Sequence, residues 1–239
     1  VTDAPHAFPF DYNDAVFRHG TESHGLDYSI LRDEFRDVHP MVADRLMLAR
    51  EAPVLDLGCG PTKLGAELDA RGVPWVGIDA ARPRLVLGSG PRIQADACRL
   101  PFAAGTFGAV AALYMLYHFD EPMEPVREAL RVLRPGGIFL CCAPAADDDP
   151  ELRAVLPLMP RETFDSDMAP KMLAGVLEDI QVSRWEMALY RLPTREAAWN
   201  YLVSRGTAPE VAAAAAARVE FPLWLTKRGA VVWGRKPAK

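Results

Sequence analysis

Between residues 53 and 143 the chain alternates short apolar runs with stretches whose apolar positions recur every three or four residues. A short run reads as a buried strand, and the three-four recurrence reads as a helix with one buried face. The pattern predicts strands at 53–58, 74–79, 92–96, 106–115 and 137–143, with helices at 62–71, 81–87 and 121–133 between them. Further on, 171–178 reads as a helix, Ile180 to Tyr190 as an imperfectly alternating strand, and Lys227 to Lys236 as a closing strand. Thr194 caps a further helix, and the six alanines between Val211 and Arg218 are helical by propensity more than by packing. Ahead of the first strand, Ile30, Leu31, Phe35, Val38, Val42, Leu46 and Leu48 keep helical spacing, with a break expected before Pro40. Strands alternating with helices in this way specify an α/β, doubly wound, mostly parallel sheet, and seven strands are predicted.

The first strand carries the candidate chemistry. Val54-Leu55-Asp56-Leu57 runs into Gly58-Cys59-Gly60-Pro61 and then into a helical pattern. Strand, glycine turn and helix in that order leave backbone open to a ligand at the carboxyl edge of the sheet. Two glycines alone specify little. The second strand, however, ends on Asp79, 19 residues after Gly60, close to the roughly 20-residue gap at which an acid reaches a ribose diol. The third run ends on Asp96, and the fourth ends on Leu113 and Tyr114, with Tyr117 and His118 following. Each acid alone reads equally well as a turn residue or a helix cap. In a parallel sheet, though, all these ends lie on one edge, and together they make a ligand site. Arg134-Pro135-Gly136-Gly137 reads as the turn from helix to fifth strand.

The segments V-L-D-L-G-C-G-P, V-G-I-D, Q-A-D-A-C-R-L-P-F, T-F-G-A-V and R-V-L-R-P-G-G-I-F-L, in this order, resemble the class I S-adenosylmethionine-dependent methyltransferases. The resemblance is continuous from about residue 50 to 144 and weaker from 171 onward. It implies a Rossmann-like methyltransferase fold whose last strand is inserted antiparallel, and S-adenosyl-L-methionine as cofactor, leaving S-adenosyl-L-homocysteine as product. It also implies that Gly58, Cys59 and Gly60 pass the methionine part, while Asp56 supports that loop or reaches the amino group. Asp79 would accept from both ribose hydroxyls, and Asp96 from the adenine amine with the Ala97 backbone nearby. Leu113 and Tyr114 would lie beside the sulfonium. His118 is the candidate catalytic residue, either as a general base or as a side chain that shapes the pocket. Helices ahead of the first strand often wall the substrate in this family, which makes Tyr12 and Tyr28, with Tyr117 and His118, candidates for substrate contact. Two positions depart from the family pattern: Thr62 stands where a third glycine is usual, and Gly108 where an aspartate is usual.

Composition narrows the acceptor only slightly. The 239 residues carry a net charge of −5 and no basic stripe, which argues against a nucleic-acid substrate. The paired arginines Arg82 and Arg84 read as a solvated helix face. No apolar run approaches the roughly 18 residues of a membrane span, and the amino terminus lacks a secretory pattern, so a cytoplasmic protein is expected. Four cysteines without C-x-x-C spacing indicate neither zinc nor disulfides, and His19 and His24 are wrongly spaced for one helix face. Asp147-Asp148-Asp149 reads as a solvated loop, and no metal is expected. The expected organisation is a helical cap over 1–50 and a methyltransferase domain over 51–239, with 145–170 as a cap insertion. The expected activity is methyl transfer to a small molecule, such as a secondary metabolite. Its rivals are an RNA or protein methyltransferase and a non-catalytic protein that keeps the cofactor pocket. A nicotinamide oxidoreductase would need glycine at Lys63. Acceptor and oligomeric state are not legible.

Overall fold

The structure, a computed structural model, describes residues 38–156 and 163–238. In chain order the elements are α1 (Val38–Ala49), β1 (Val54–Leu57), α2 (Lys63–Asp69), β2 (Trp75–Asp79), α3 (Arg82–Leu85) and β3 (Arg92–Gln94). They continue as β4 (Phe107–Leu113), a single 3-10 turn at Leu116–His118, α4 (Met123–Val132), β5 (Leu133–Pro144), α5 (Pro150–Arg153) and α6 (Ala169–Leu173). The chain closes with β6 (Glu178–Leu192), α7 (Arg195–Ser204), α8 (Pro209–Ala216) and β7 (Leu223–Arg235). No described helix is long and apolar enough to cross a membrane.

The seven strands form one sheet in the order β3-β2-β1-β4-β5-β7-β6. β3, β2, β1, β4 and β5 run parallel, and β7 joins β5 antiparallel, with Ile138 opposite Arg235 and Pro144 opposite Gly229. β1 and β4 are buried at every residue, as strands covered on both faces must be, and their sequences are accordingly apolar almost throughout. The strand order reverses between β1 and β4. At such a switch point the two connections leave in opposite directions, and a crevice opens beyond the carboxyl ends. The expected doubly wound α/β sheet is therefore the fold found.

Two local expectations change. Pro40 lies within α1, two residues after its first described residue, so no break precedes it there. Residues 134–137 belong to β5: Leu133 pairs with Phe107 and Ile138 with Ala109, so four residues bulge opposite Gly108. Gly136 takes φ 74° there and donates to the Lys236 carbonyl at 2.9 Å.

By its internal contacts the chain divides into two units. Among the described residues, 38–146, 163–184 and 229–238 form one, and 147–156 and 185–228 form the other. The sheet unit is held by a core that includes Leu55, Leu57, Ile78, Val110, Phe139, Phe164 and Val232. α1 belongs to this unit, and its Asp44 accepts from Arg71 Nε at 2.7 Å. The second unit has its own core, which includes Leu152, Leu192, Tyr201, Leu202, Leu225 and three alanines of α8. Ala212, Ala215 and Ala216 are buried, so α8 is held by packing as well as by propensity.

The acidic run is not a solvated loop. Asp148 and Asp149 are buried, and Lys227, itself buried, contacts Asp148 and donates to both oxygens of Asp149 at 2.9 Å. Tyr201 donates to Asp149 at 2.6 Å, and the Arg228 amide donates to Asp148 at 2.7 Å. Only Asp147 of the three is exposed, and it accepts from Arg228 at 2.6 Å.

Candidate cofactor site

Everything at the carboxyl edge depends on how the chain leaves β1. Gly58 takes φ 71° and Gly60 takes φ 48°, and Thr62 continues at φ 58° before α2 begins. These left-handed values wind the chain tightly enough for the amides of Gly58 and Cys59 both to donate to the Ile78 carbonyl at 2.9 Å. A side chain at Gly58 would meet the Met115 Cβ at 2.9 Å. Threonine at a left-handed position carries steric cost, and the structure supplies the compensation. Its side chain is buried, and Oγ1 accepts from the Ser89 amide at 2.9 Å. Thr62 thus ties the loop to the segment after α3, a contact glycine cannot make.

Asp79 closes the loop from the other side. Its Oδ2 accepts from the Gly60 amide and its Oδ1 from the Ala81 amide, both at 2.8 Å. An ionised carboxylate offers about four lone-pair sites, so each oxygen keeps acceptor capacity for a ligand. Asp96 follows β3, whose Gln94 lies opposite Asp79 in the register. One oxygen of Asp96 accepts from the Cys98 amide at 2.8 Å, and Ala97 beside it is buried. The Cys98 thiol is pushed up to about 12 by burial and by the neighbouring Asp96 and Glu124.

Asp56 is the least ordinary group in the site. It sits in β1 between Gly77 of β2 and Ala111 of β4, 3% exposed, and its Oδ2 has no hydrogen-bond partner. Burial first, and then the nearby Asp79 charge, raise its carboxyl to about 7. The Cys59 thiol is raised further still, by burial and then by Asp56 and Asp79. A buried, half-unpaired acid beside an open glycine loop suits a cationic ligand group. The α-ammonium of S-adenosylmethionine is such a group, and the remaining acceptor capacity of Asp79 suits a ribose diol, so the residues present fit this cofactor.

The fourth strand brings the remaining candidates. Leu113 is buried at its end, and Tyr114 turns out of it at φ 54°, 37% exposed. A left-handed tyrosine is a strained backbone position, of the kind that clusters at ligand sites. His118 ends the 3-10 turn, with the Tyr117 ring 4.5 Å from its own. Burial, and then the Arg84 charge, lower the imidazole to about 4, so it is neutral near pH 7. Tyr12 and Tyr28, like His19 and His24, lie outside the described residues. Among the described residues no His, Cys, Asp and Glu side chains gather as a metal site.

Sequence reasoning missed Arg84. Arg82 is exposed as expected, but Arg84 is half-buried and its guanidinium packs against the glycine loop: a Cβ built on Gly60 would lie 3.2 Å from Nη2 and 3.3 Å from Nε. No spacing in the sequence announces this, because α3 supplies only four residues and the side chain's direction depends on where that turn docks. Gly108 also has a steric reason. A Cβ there would meet the Arg134 Nη2 at 2.4 Å and the Ala52 amide nitrogen at 2.8 Å.

Residues 55–141 match the family described as methyltransferase domain. A demethylmenaquinone methyltransferase of Mycolicibacterium vanbaalenii is 35% identical over 102 residues, 41% of this chain and 45% of that protein. A malonyl-[acyl-carrier protein] O-methyltransferase of Enterobacter lignolyticus is 33% identical over 114 residues, 46% of this chain and 45% of that protein. The match therefore spans under half the length of these curated relatives. Among solved structures, the YcgJ protein of Bacillus subtilis superposes with a TM-score of 0.60 at 19% identity, covering 84% of this chain and 99% of that one. The [4+2]-cyclase SpnF superposes at 0.54 and 19% identity, covering 84% and 82%. Residues 55–141 are accordingly similar to a methyltransferase domain, and the sheet around them has the fold of these solved structures.

Proposed function

We propose that this chain, built around that methyltransferase domain, moves a methyl group from S-adenosylmethionine to a small-molecule acceptor. The observation that carries the reading is Asp79, whose carboxylate is locked by the Gly60 and Ala81 amides and still offers acceptors toward a ribose diol. Bound at the loop, the cofactor supplies an electrophilic methyl on a sulfonium. The chain's own tasks are then to bind, orient and exclude water. Asp56 faces the ammonium, Asp79 takes the ribose, Asp96 takes the adenine amine, and Leu113 with Tyr114 borders the reacting sulfur. Tyr117 and His118 contact the acceptor. A neutral imidazole whose conjugate acid titrates near 4 is a poor proton acceptor from a neutral hydroxyl. His118 therefore shapes the pocket, and the acceptor arrives already nucleophilic.

The acceptor class follows two lines of support. The relatives named for demethylmenaquinone and malonyl-acyl-carrier-protein act, by those names, on small or carrier-borne acids and quinoid rings. The net charge of −5 offers little to a nucleic acid. Because the same fold also occurs in a [4+2]-cyclase, fold alone does not name the reaction. The test is calorimetric titration with S-adenosylmethionine and separately with NAD, on wild type and Asp79→Ala, followed by transfer of labelled methyl to quinol, phenol and carboxylate panels. Micromolar binding of S-adenosylmethionine alone is expected, weakened roughly tenfold or more in the variant, the scale of a charge-assisted contact. Silence with S-adenosylmethionine, or equal binding of NAD, overturns the reading.

A further inference from the structure

An α-amino acid presents two opposite charges a few ångströms apart, and a site that grips it firmly needs an anion and a cation set at the same loop. The acidic half is Asp56, buried with Oδ2 unpaired. The basic half is the guanidinium of Arg84, packed 3.2 to 3.7 Å from the position a Cβ on Gly60 would take. Both groups border the three-residue loop Gly58-Cys59-Gly60, one from within the sheet and one from α3. We propose that Asp56 and Arg84 form a clamp for a zwitterionic amino-acid end, with Arg84 as the positioning residue that binds the cofactor's carboxylate. The inference rests on the S-adenosylmethionine reading of this site and adds to it a residue that no motif of the sequence supplies.

The charges of the surroundings favour this role. Asp56, Asp79 and Asp96 converge on one ligand, and a cofactor bearing a sulfonium and an ammonium gains from all three. Its carboxylate alone is repelled by them, so it requires a cation close at hand. Guanidinium suits the task better than ammonium, because its planar fork gives two parallel donors to the two oxygens of a carboxylate. A cation above Gly60 also explains how the Arg84 charge reaches His118 and depresses it. Filling this clamp sets an ammonium against Asp56 and a carboxylate against Arg84 in a single step.

The test uses the full chain and binding alone. Wild type and Arg84→Met are titrated with S-adenosylhomocysteine, with its decarboxylated analogue and with 5′-deoxy-5′-methylthioadenosine. The wild type is expected to prefer S-adenosylhomocysteine over the decarboxylated analogue by roughly tenfold to a hundredfold. Arg84→Met should erase that preference and leave the affinity for the two carboxylate-free ligands within about twofold of wild type. Arg84→Lys should restore part of it, as a point charge without the fork. An Arg84→Met chain that binds S-adenosylhomocysteine like wild type overturns the clamp, as does one that loses all three ligands equally while melting at the wild-type temperature. If Arg84→Met fails to fold, the wild-type preference decides: its absence overturns the proposal and its presence, reduced in Arg84→Lys, supports it. A wild type that binds no adenosyl ligand at all defeats the proposed function itself, which is a different failure from wild-type binding without a carboxylate preference.

Discussion

At the scale of single residues, Asp56 couples the folded chain to pH. Its carboxyl is raised from 3.8 to about 7 in the folded chain, so between those values the native state holds a proton that the unfolded state has released. Stability from this group is complete below about pH 4 and is lost as pH rises to about 7. Asp56→Asn removes that slope. The melting temperature of the variant should gain steadily on wild type from about pH 4 to about 7 and stay ahead above it, while affinity for S-adenosylmethionine falls. Parallel pH-dependent melts of the two ligand-free chains check this, and parallel lines would refute it. His118 gives the opposite expectation. Lowered to about 4, it is already neutral across the physiological range. The pH profile of methyl transfer should therefore show no histidine inflection between about pH 5 and 8, and His118→Gln should leave its shape unchanged. Thr62 is a third case. Thr62→Val keeps the left-handed strain but leaves the Ser89 amide without its partner, and should cost about 1 kcal/mol in denaturant unfolding. Thr62→Gly loses the same bond but relieves the strain, and should fall within about 0.5 kcal/mol of wild type.

At the scale of elements, the strands and their ends were readable because a parallel sheet imposes a simple rule. Central strands are apolar on both faces, and polar residues appear where the strand stops. Asp79, Asp96 and Tyr114 announce themselves in this way. What could not be read is how elements use one another's backbone. Arg134-Pro135-Gly136-Gly137 has the composition of a turn, yet it forms a bulge opposite Gly108, where the chain at Ala52 also packs close. Glycine at 108 is a consequence of that crowding. Gly108→Ala should destabilise the sheet unit by about 1–3 kcal/mol, the usual cost of forcing atoms into a filled space, although it lies far from any ligand group. The alanine helix was misjudged for a related reason: six identical side chains carry no periodicity, so the buried stripe of Ala212, Ala215 and Ala216 is invisible until α7 packs on it. Ala212→Leu should cost about 1–3 kcal/mol by overpacking, and Ala213→Leu on the exposed face should stay within about 0.5 kcal/mol. Equal effects would mean that α8 is not packed through that stripe.

At the scale of the molecule, the sequence fails where partners are far apart. Asp148 and Lys227 are separated by 79 residues, and nothing local tells three consecutive acids whether a lysine awaits two of them. Folded, the ammonium serves Asp148, Asp149 and Tyr201 together. Removing one member of such a set leaves buried charge uncompensated, so Lys227→Met should cost about 3–5 kcal/mol. Hydrogen exchange across residues 185–228 should accelerate in the variant, and unchanged protection there would show that the network is dispensable. The same dependence on distance hid Arg84, which the sequence offers as one more surface arginine and the fold places on the loop.

The hydrogen bond from the Gly60 amide to Asp79 carries a consequence for kinetics. The carboxylate proposed to take the ribose is the same one that accepts from the Gly60 amide, so the loop itself needs no rearrangement between encounter and complex. Association with S-adenosylhomocysteine should then follow a single exponential whose rate climbs linearly with ligand concentration and does not level off. In Asp79→Asn, where the tether is weakened along with the ligand contact, the same traces should bend toward a plateau, as loop closure becomes the slower event.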